Sequence, residues 1–222
     1  MISTLVLDLD GPLLDGMQRH YRCYSDILEE RGFRPIPVER YWEMKRNRVN
    51  RRVLLECSDA LSLYDEFLET WIDRIETREY LELDRLQHNV TNILSKWKER
   101  ELRLLLATMR NNPRNLTWQL DMLNLRRFFD DVVVVGSGHD GANKASQVKP
   151  KLTGLCLDSV VWVGDTEVDV GAARELGVRV CTLTCGLRVE EYLVSLSPDC
   201  IEPDLHSFAE KMDKWGGSRN SS

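Results

Sequence analysis

The chain has 222 residues, 42% hydrophobic and 30% charged, a globular composition with enough apolar material to bury a core without disulfide staples. Its 30 Lys and Arg against 36 Asp and Glu leave a net charge of -6, which argues against a general nucleic-acid binder, since phosphate contacts need a basic surface. No apolar run approaches about 18 residues, so no membrane-spanning helix is expected, and Asp8 and Asp10 sit where a secretory leader needs an apolar stretch.

The first strand is expected at Thr4-Leu5-Val6-Leu7, running into Asp8-Leu9-Asp10-Gly11-Pro12, which cannot continue a central strand. From about Gly16 to Leu83 the pattern is helical. Tyr24, Ile27 and Leu28 share a helix face closed by Gly32, and Tyr41-Trp42 and Val53-Leu54-Leu55 mark two shorter helices. Tyr64, Phe67, Leu68, Trp71, Ile72 and Ile75 follow the stripe of an amphipathic helix. Trp and Tyr at helical spacing read as core packing. Beyond residue 84 strands and helices alternate: a helix through Leu86, Val90, Ile93, Leu94 and Trp97, strand Leu102 to Ala107, and a helix with Pro113 near its start and Leu116, Leu120 and Leu123 on its face. Strand Val132–Val135, helix Ala145–Leu155, strand Val160–Val163, helix Val168–Leu176 and strand Val178–Leu183 follow.

These apolar runs are short and continuous, as in a parallel sheet covered by helices on both faces. The first strand is separated from the next by a block far longer than a right-handed crossover needs. The expected fold class is α/β, a doubly wound parallel sheet with an inserted all-helical unit. Residues 1–15 and 84–222 form the core, 16–83 the insertion, and 215–222 a disordered tail. The six cysteines are scattered, and Cys181 and Cys185 lack a nearby Cys/His pair to complete a zinc site, so they read as structural thiols in a reducing cytoplasm.

In doubly wound folds ligands bind at the carboxyl ends of the strands. There this sequence places Asp8 and Asp10, then Thr108-Met109-Arg110, then Gly164-Asp165-Thr166-Glu167-Val168-Asp169, with Lys144 at the start of a helix between the last two. Clustered carboxylates raise one another's pKa, and Mg²⁺, which favours a few carboxylates plus a substrate phosphate, relieves that conflict. The Thr108 hydroxyl and the Lys144 ammonium suit phosphate oxygens. A carboxylate can attack phosphorus, and a second can protonate the leaving oxygen and then activate water.

Asp8-Leu9-Asp10-Gly11, the strand-ending Thr108, a helix-starting lysine and the Gly164-to-Asp169 stretch together resemble the four motifs of the haloacid dehalogenase-like hydrolases, over nearly the whole chain. The resemblance implies a phosphatase with Asp8 as nucleophile and metal ligand and Asp10 as general acid/base, its carbonyl also on the metal. Thr108 and Lys144 would bind phosphate, with Asp165 a third metal ligand and Asp169 ligand or support. The helical insertion matches the family's smaller cap, which closes over small soluble phosphorylated metabolites. Dehalogenases proper lack the second Asp. Pro12 stands where the family usually has Thr or Val, and its fixed φ suits the turn. Lys149, before Pro150, also fits a family pattern. Lys144 is preferred because a full helix must fit between this lysine and the next strand.

Other residues carry two readings. His20 lies near the hinge position where caps of phosphatases and of phosphosugar mutases place a histidine, and it equally suits a packed cap histidine. Lys45, Arg46, Arg48, Arg51 and Arg52 either attract an anionic substrate, with Arg48 the first candidate, or form a solvated face paired with Glu39, Glu43 and Glu56, which is preferred. Gly136-Ser-Gly138-His-Asp-Gly141 matches G-x-G-x-x-G but opens the wrong βαβ unit for a dinucleotide. The expected function is phosphate-ester hydrolysis, with a phosphosugar mutase and a non-catalytic interaction module as rivals. Phosphoglycolate, sugar phosphates and nucleoside monophosphates are candidate substrates, and the oligomeric state stays open.

Overall fold

The computed structural model describes residues 1–136 and 140–212. The tail at 215–222 and the middle of the G-x-G-x-x-G stretch lie outside the described residues. Strand β1 (Thr4–Leu7) is followed by the two-residue β2 (Leu14–Asp15) and then helices α1 (Met17–Glu29), α2 (Val38–Arg46), α3 (Arg51–Glu56), α4 (Tyr64–Ile75) and α5 (Arg78–Leu81). The chain returns through β3 (Arg85–Leu86), which pairs antiparallel with β2. Helix and strand then alternate: α6 (Val90–Glu99), β4 (Arg103–Thr108), α7 (Pro113–Met122), β5 (Asp131–Val134), α8 (Gly141–Val148), β6 (Val160–Gly164), α9 (Glu167–Leu176), β7 (Arg179–Leu183), α10 (Glu190–Ser195), β8 (Cys200–Glu202) and α11 (Leu205–Lys211). No helix among the described residues is long and apolar enough to cross a membrane.

Six strands form one parallel sheet in the order β5-β4-β1-β6-β7-β8. Each central strand buries both faces. Leu5, Leu7, Leu104, Leu106, Val161 and Val163 pack into one hydrophobic layer, and Val6, Leu105, Ala107, Val160 and Trp162 into the other. That two-sided burial is why these strands read as unbroken apolar runs. Register aligns Leu7 with Leu106 on one side and Val163 on the other, so the residues that follow the three strands emerge at one edge. The helices α1 to α5 hold a third core of their own, built around Cys23, Tyr24, Leu28, Tyr41, Leu55 and Phe67.

Most expected elements form, with instructive exceptions. Helix α8 runs Gly141–Val148 instead of Ala145–Leu155. It starts earlier because the Asp140 side chain accepts from the Asn143 amide, and it stops because Pro150 has no N–H to continue it. Leu86 lies in β3, not in the following helix. The elements α10, β8 and α11 carry too little apolar periodicity to be read from sequence. All six cysteines are free thiols. On α4, Phe67 and Ile75 are buried, but Leu68 and Ile72 from the same apolar stripe stay 39% and 44% exposed. The stripe is therefore wider than the core it covers.

Helices α8 and α9 pack unusually closely. A Cβ on Gly141 would sit 2.7 Å from the Ala172 amide nitrogen, so only glycine lets the two backbones meet. Gly141→Val is expected to destabilise the fold by about 1–3 kcal/mol through overpacking, read as a lower urea midpoint with an unchanged m-value.

Candidate active site

Asp8 follows β1, and its amide donates to the Val163 carbonyl at 2.9 Å, which fixes the start of the loop against β6. Gly11 turns this loop at φ +96°, and a Cβ there would collide with the Asp165 carboxyl group at 2.3 Å. Asp165 follows β6 and is fully buried, as are Asp169 and Lys144. One carboxylate oxygen from each of Asp8, Asp165 and Asp169 lies within 4.8 Å of the others.

Lys144 joins two of the three. Its Nζ lies 3.1 Å from Asp8 Oδ1 and donates to Asp169 Oδ1 at 2.7 Å. Asp169 is further held by Trp162 Nε1 at 3.1 Å, by Thr166 Oγ1 at 2.8 Å and by the amides of Asp165 and Thr166, which completes a capping box on α9. Both of its oxygens thus have protein donors, and one of them holds Lys144. Lys149 is exposed, away from the cluster. Asp165 differs: Oδ2 accepts from the Leu187 amide at 2.5 Å, while Oδ1 is buried with no partner. The Thr108 hydroxyl is likewise buried without one.

A second charge cluster surrounds Asp10. Arg110 grips it with two bonds, Nε to Oδ2 at 2.7 Å and Nη2 to Oδ1 at 2.8 Å, and Arg19 Nη2 adds a third. Behind the arginines lies Asp84, fully buried. It accepts from Arg19 Nε at 2.7 Å, from Arg110 Nη2 at 3.1 Å and from Gln119 Nε2 at 2.8 Å. Arg19, Asp84 and Gln119 escaped the sequence reading. The one available signal was that Arg19 precedes His20 and Asp84 closes the helical block.

The electrostatics follow from these contacts. Burial, with the charges of Asp169 and Asp10, lifts the Asp8 carboxyl to about 7 despite the pull of Lys144. Burial and the neighbouring Asp8 and Asp169 push Asp165 well above the ordinary carboxylate range. Burial would raise Asp10 too, but Arg110 and Arg19 hold it below its usual value. The two clusters together contain Asp8, Asp10, Asp84, Asp165 and Asp169 against Lys144, Arg19 and Arg110. Fully ionised, that is five negative charges against three positive ones. A divalent cation would carry the missing charge. Its hard-oxygen ligands are present in Asp8 and in the unpartnered Asp165 Oδ1.

A cavity of about 500 Å³ opens over this edge, between sheet and helices. Asp8, Asp10, Asp165, Met109 and Arg110 line it from the core; His20, Trp42, Leu68, Trp71, Ile72 and Ile75 line it from the helical block. His20 stacks on Trp71, with ring centroids 5.5 Å apart, and burial depresses its pKa well below the usual 6.5. Arg48 lies outside this cavity. It rests on the Tyr192 ring at 4.7 Å, bonds the Tyr192 hydroxyl and lies 3.6 Å from Glu167. Its neighbour Arg46 donates to the carbonyls of Thr184 and Arg188 at 2.6 and 3.0 Å. Of the five cap cations, Arg52 alone pairs with one of the expected glutamates, at 3.6 Å from Glu56. Arg46 and Arg48 reach residues of the core, while Lys45 and Arg51 lie over the Trp71 and Tyr64 rings of the helical block.

Asp84→Ala would take from two buried guanidiniums the more buried of the two carboxylates they share. It is expected to destabilise the protein by about 3–5 kcal/mol, measured by urea unfolding at neutral pH.

A family model for "Hydrolase: haloacid dehalogenase-like hydrolase" matches residues 2–177. The chain is 24% identical over 223 residues to a phosphoglycolate phosphatase of Pseudomonas fluorescens (strain Pf0-1), covering 92% of this chain and 77% of that one. It is 26% identical over 225 residues to a phosphoglycolate phosphatase of Caulobacter vibrioides, covering 94% and 88%. In fold it is similar to a haloacid dehalogenase-like family protein from Streptococcus pneumoniae, with TM-score 0.72, 16% identity and coverage of 97% and 99%. A HAD-superfamily hydrolase from Geobacter sulfurreducens gives TM-score 0.70 at 19% identity, with 97% of each chain covered. With its parallel sheet and its carboxylates at the strand ends, the chain belongs to the haloacid dehalogenase-like hydrolases, in their branch of phosphoric monoester hydrolases.

Proposed function

We propose that the protein is a Mg²⁺-dependent phosphatase that hydrolyses a small phosphate monoester through an aspartyl-phosphate on Asp8. The observation that carries this reading is the buried cluster of Asp8, Asp165 and Lys144 beside an unpartnered Thr108 hydroxyl, at the floor of a cavity. In this reading the phosphoryl oxygens lie on Lys144, the Thr108 hydroxyl and the loop through Met109 and Arg110. An Asp8 oxygen attacks phosphorus, the ester bond breaks, and the leaving oxygen takes a proton from Asp10. Asp10 then takes a proton from a water molecule that attacks the phospho-aspartate, which frees phosphate and regenerates Asp8. Asp8, Asp165 and the Asp10 carbonyl would hold the metal, which supplies neutralising charge to the phosphoryl group and nucleophile when bound. In the conformation described Arg19 and Arg110 hold Asp10 ionised, so acid catalysis requires one of its oxygens to turn from them to the substrate and take up a proton before the ester bond breaks.

The helical block 16–83 acts as the cap in this reading, with the paired β2 and β3 as its hinge, and excludes water from the reacting centre. Hydrolysis is favoured over phosphosugar transfer because Arg19, the cap cation that lines the cavity, is tied to Asp10 and Asp84 and does not offer a seat for a second phosphate. Six free thiols fit a reducing cytoplasm.

Asp8→Asn is expected to abolish phosphate release. The same substitution separates catalysis from folding. The folded-state pKa of Asp8 is raised from 3.8 to about 7. Across that window the folded chain keeps a proton that the unfolded chain has lost. The contribution of Asp8 to stability therefore declines as pH rises from 3.8 through about 7. In chelator at pH 8, Asp8→Asn should melt no lower than the parent protein, by calorimetry. A chelator should also stop phosphate release by the parent protein, and added Mg²⁺ should restore it and raise Tm.

A further inference from the structure

The cap side of the cavity carries charge at only two points among the described residues, Arg19 and Glu76. Both have partners. Arg19 bonds Asp10 and Asp84. Glu76 accepts from the backbone amides of Asn111 and Asn112 at 2.9 and 2.8 Å, which ties the end of α4 to the loop before α7. The remaining cap surface consists of Trp42, Leu68, Trp71, Ile72 and Ile75, with His20 stacked among them. Leu68 and Ile72 keep 39% and 44% of their surface exposed although they flank a helix that buries Phe67 and Ile75. Exposed apolar groups that line a catalytic cavity gain most from a ligand that covers them.

The core side carries two arginines: Arg188, tied to the Glu167 carboxylate at 2.7 and 2.9 Å, and Arg110, whose Nη1 is buried without a partner and offers anions a donor. That donor stands on the loop that follows Thr108, at the phosphoryl end. Lys45 lies against the Trp71 ring at 4.8 Å and lines a neighbouring cavity, not this one. A carboxylate on the leaving group would thus meet indole rings and aliphatic chains, which do not solvate charge. His20 is held neutral by burial and has Nδ1 without a partner, so it suits an uncharged polar atom.

Building on the phosphatase reading above, we propose that the substrate is a phosphate monoester of an uncharged, apolar, ring-sized alcohol, whose ring packs against Trp42, Trp71, Leu68 and Ile72. A cavity of about 500 Å³ has room for such a group and far exceeds what a two-carbon acid needs. The cap of this chain thereby selects against 2-phosphoglycolate, the substrate in the names of its relatives.

The test is kcat/KM, with Mg²⁺, for benzyl phosphate, ethyl phosphate, 2-phosphoglycolate and acetyl phosphate. The first three all leave as alcohols that need a proton from Asp10, so their differences report the cavity. Acetyl phosphate reports the phosphoryl chemistry alone, since acetate needs neither a ring site nor a proton. Benzyl phosphate should exceed both ethyl phosphate and 2-phosphoglycolate by at least about tenfold. Leu68→Lys and Ile72→Lys, at positions where a lysine can reach water, should each lower the benzyl phosphate value about tenfold and raise that for 2-phosphoglycolate. Turnover of acetyl phosphate with 2-phosphoglycolate equal to or better than benzyl phosphate overturns this inference and leaves the phosphatase reading standing. No turnover of any of the four overturns that reading, and the inference with it.

Discussion

Carboxylates taken out of water at one edge of a sheet must have their charge cancelled, and the rest of this structure is arranged around that demand. Lys144 is the main device. It is fully buried and reaches both Asp8 and Asp169. An ammonium tolerates such a place only with anions beside it, and those anions tolerate it only with the ammonium. The ion contacts in turn dictate backbone packing. Lys144 can reach across because α8 lies close against α9, and α8 lies close because Gly141 has no side chain. Asp169 can hold it because the capping box and Trp162 fix its carboxylate.

The second cluster solves the same problem with guanidiniums, and links core to cap in doing so. Arg110 comes from the loop after β4, Arg19 from the first cap helix and Asp84 from the return linker. Asp10 therefore contacts both halves of the molecule. Cap and core are joined again by Arg46 on the Thr184 and Arg188 carbonyls, by Arg48 on Tyr192 and by Glu76 on the amides before α7. These polar ties lie around the cavity. Apart from Arg19 and Glu76, they leave its cap wall to His20 and to aromatic and aliphatic side chains.

How legible this was depends on sequence distance. Asp8, Asp10, Thr108 and Asp165 could be placed because each directly follows an apolar run, and in a parallel sheet the ends of central strands share one edge. Lys144 over Lys149 followed from the room a helix needs, and the structure places Lys144 against Asp8 with Lys149 exposed. Arg19 and Asp84 were invisible, since 65 residues separate them and neither stands in a motif. Leu68 and Ile72 were visible as apolar positions, but periodicity cannot say whether an apolar stripe faces a core or a cavity.

The order of apolar runs, turns and acidic stretches was sufficient to specify the parallel sheet, the inserted helices and the residues at the strand ends, because those properties are local and periodic. Tertiary structure alone decided which charges neutralise one another. It decided that Asp169 steadies Lys144, and that Arg48 seals the seam between cap and core outside the cavity. It decided too that four of the six residues of an amphipathic stripe line the site. Those outcomes depend on the close approach of segments far apart in the chain, where burial weakens solvent screening and makes each pairing strong.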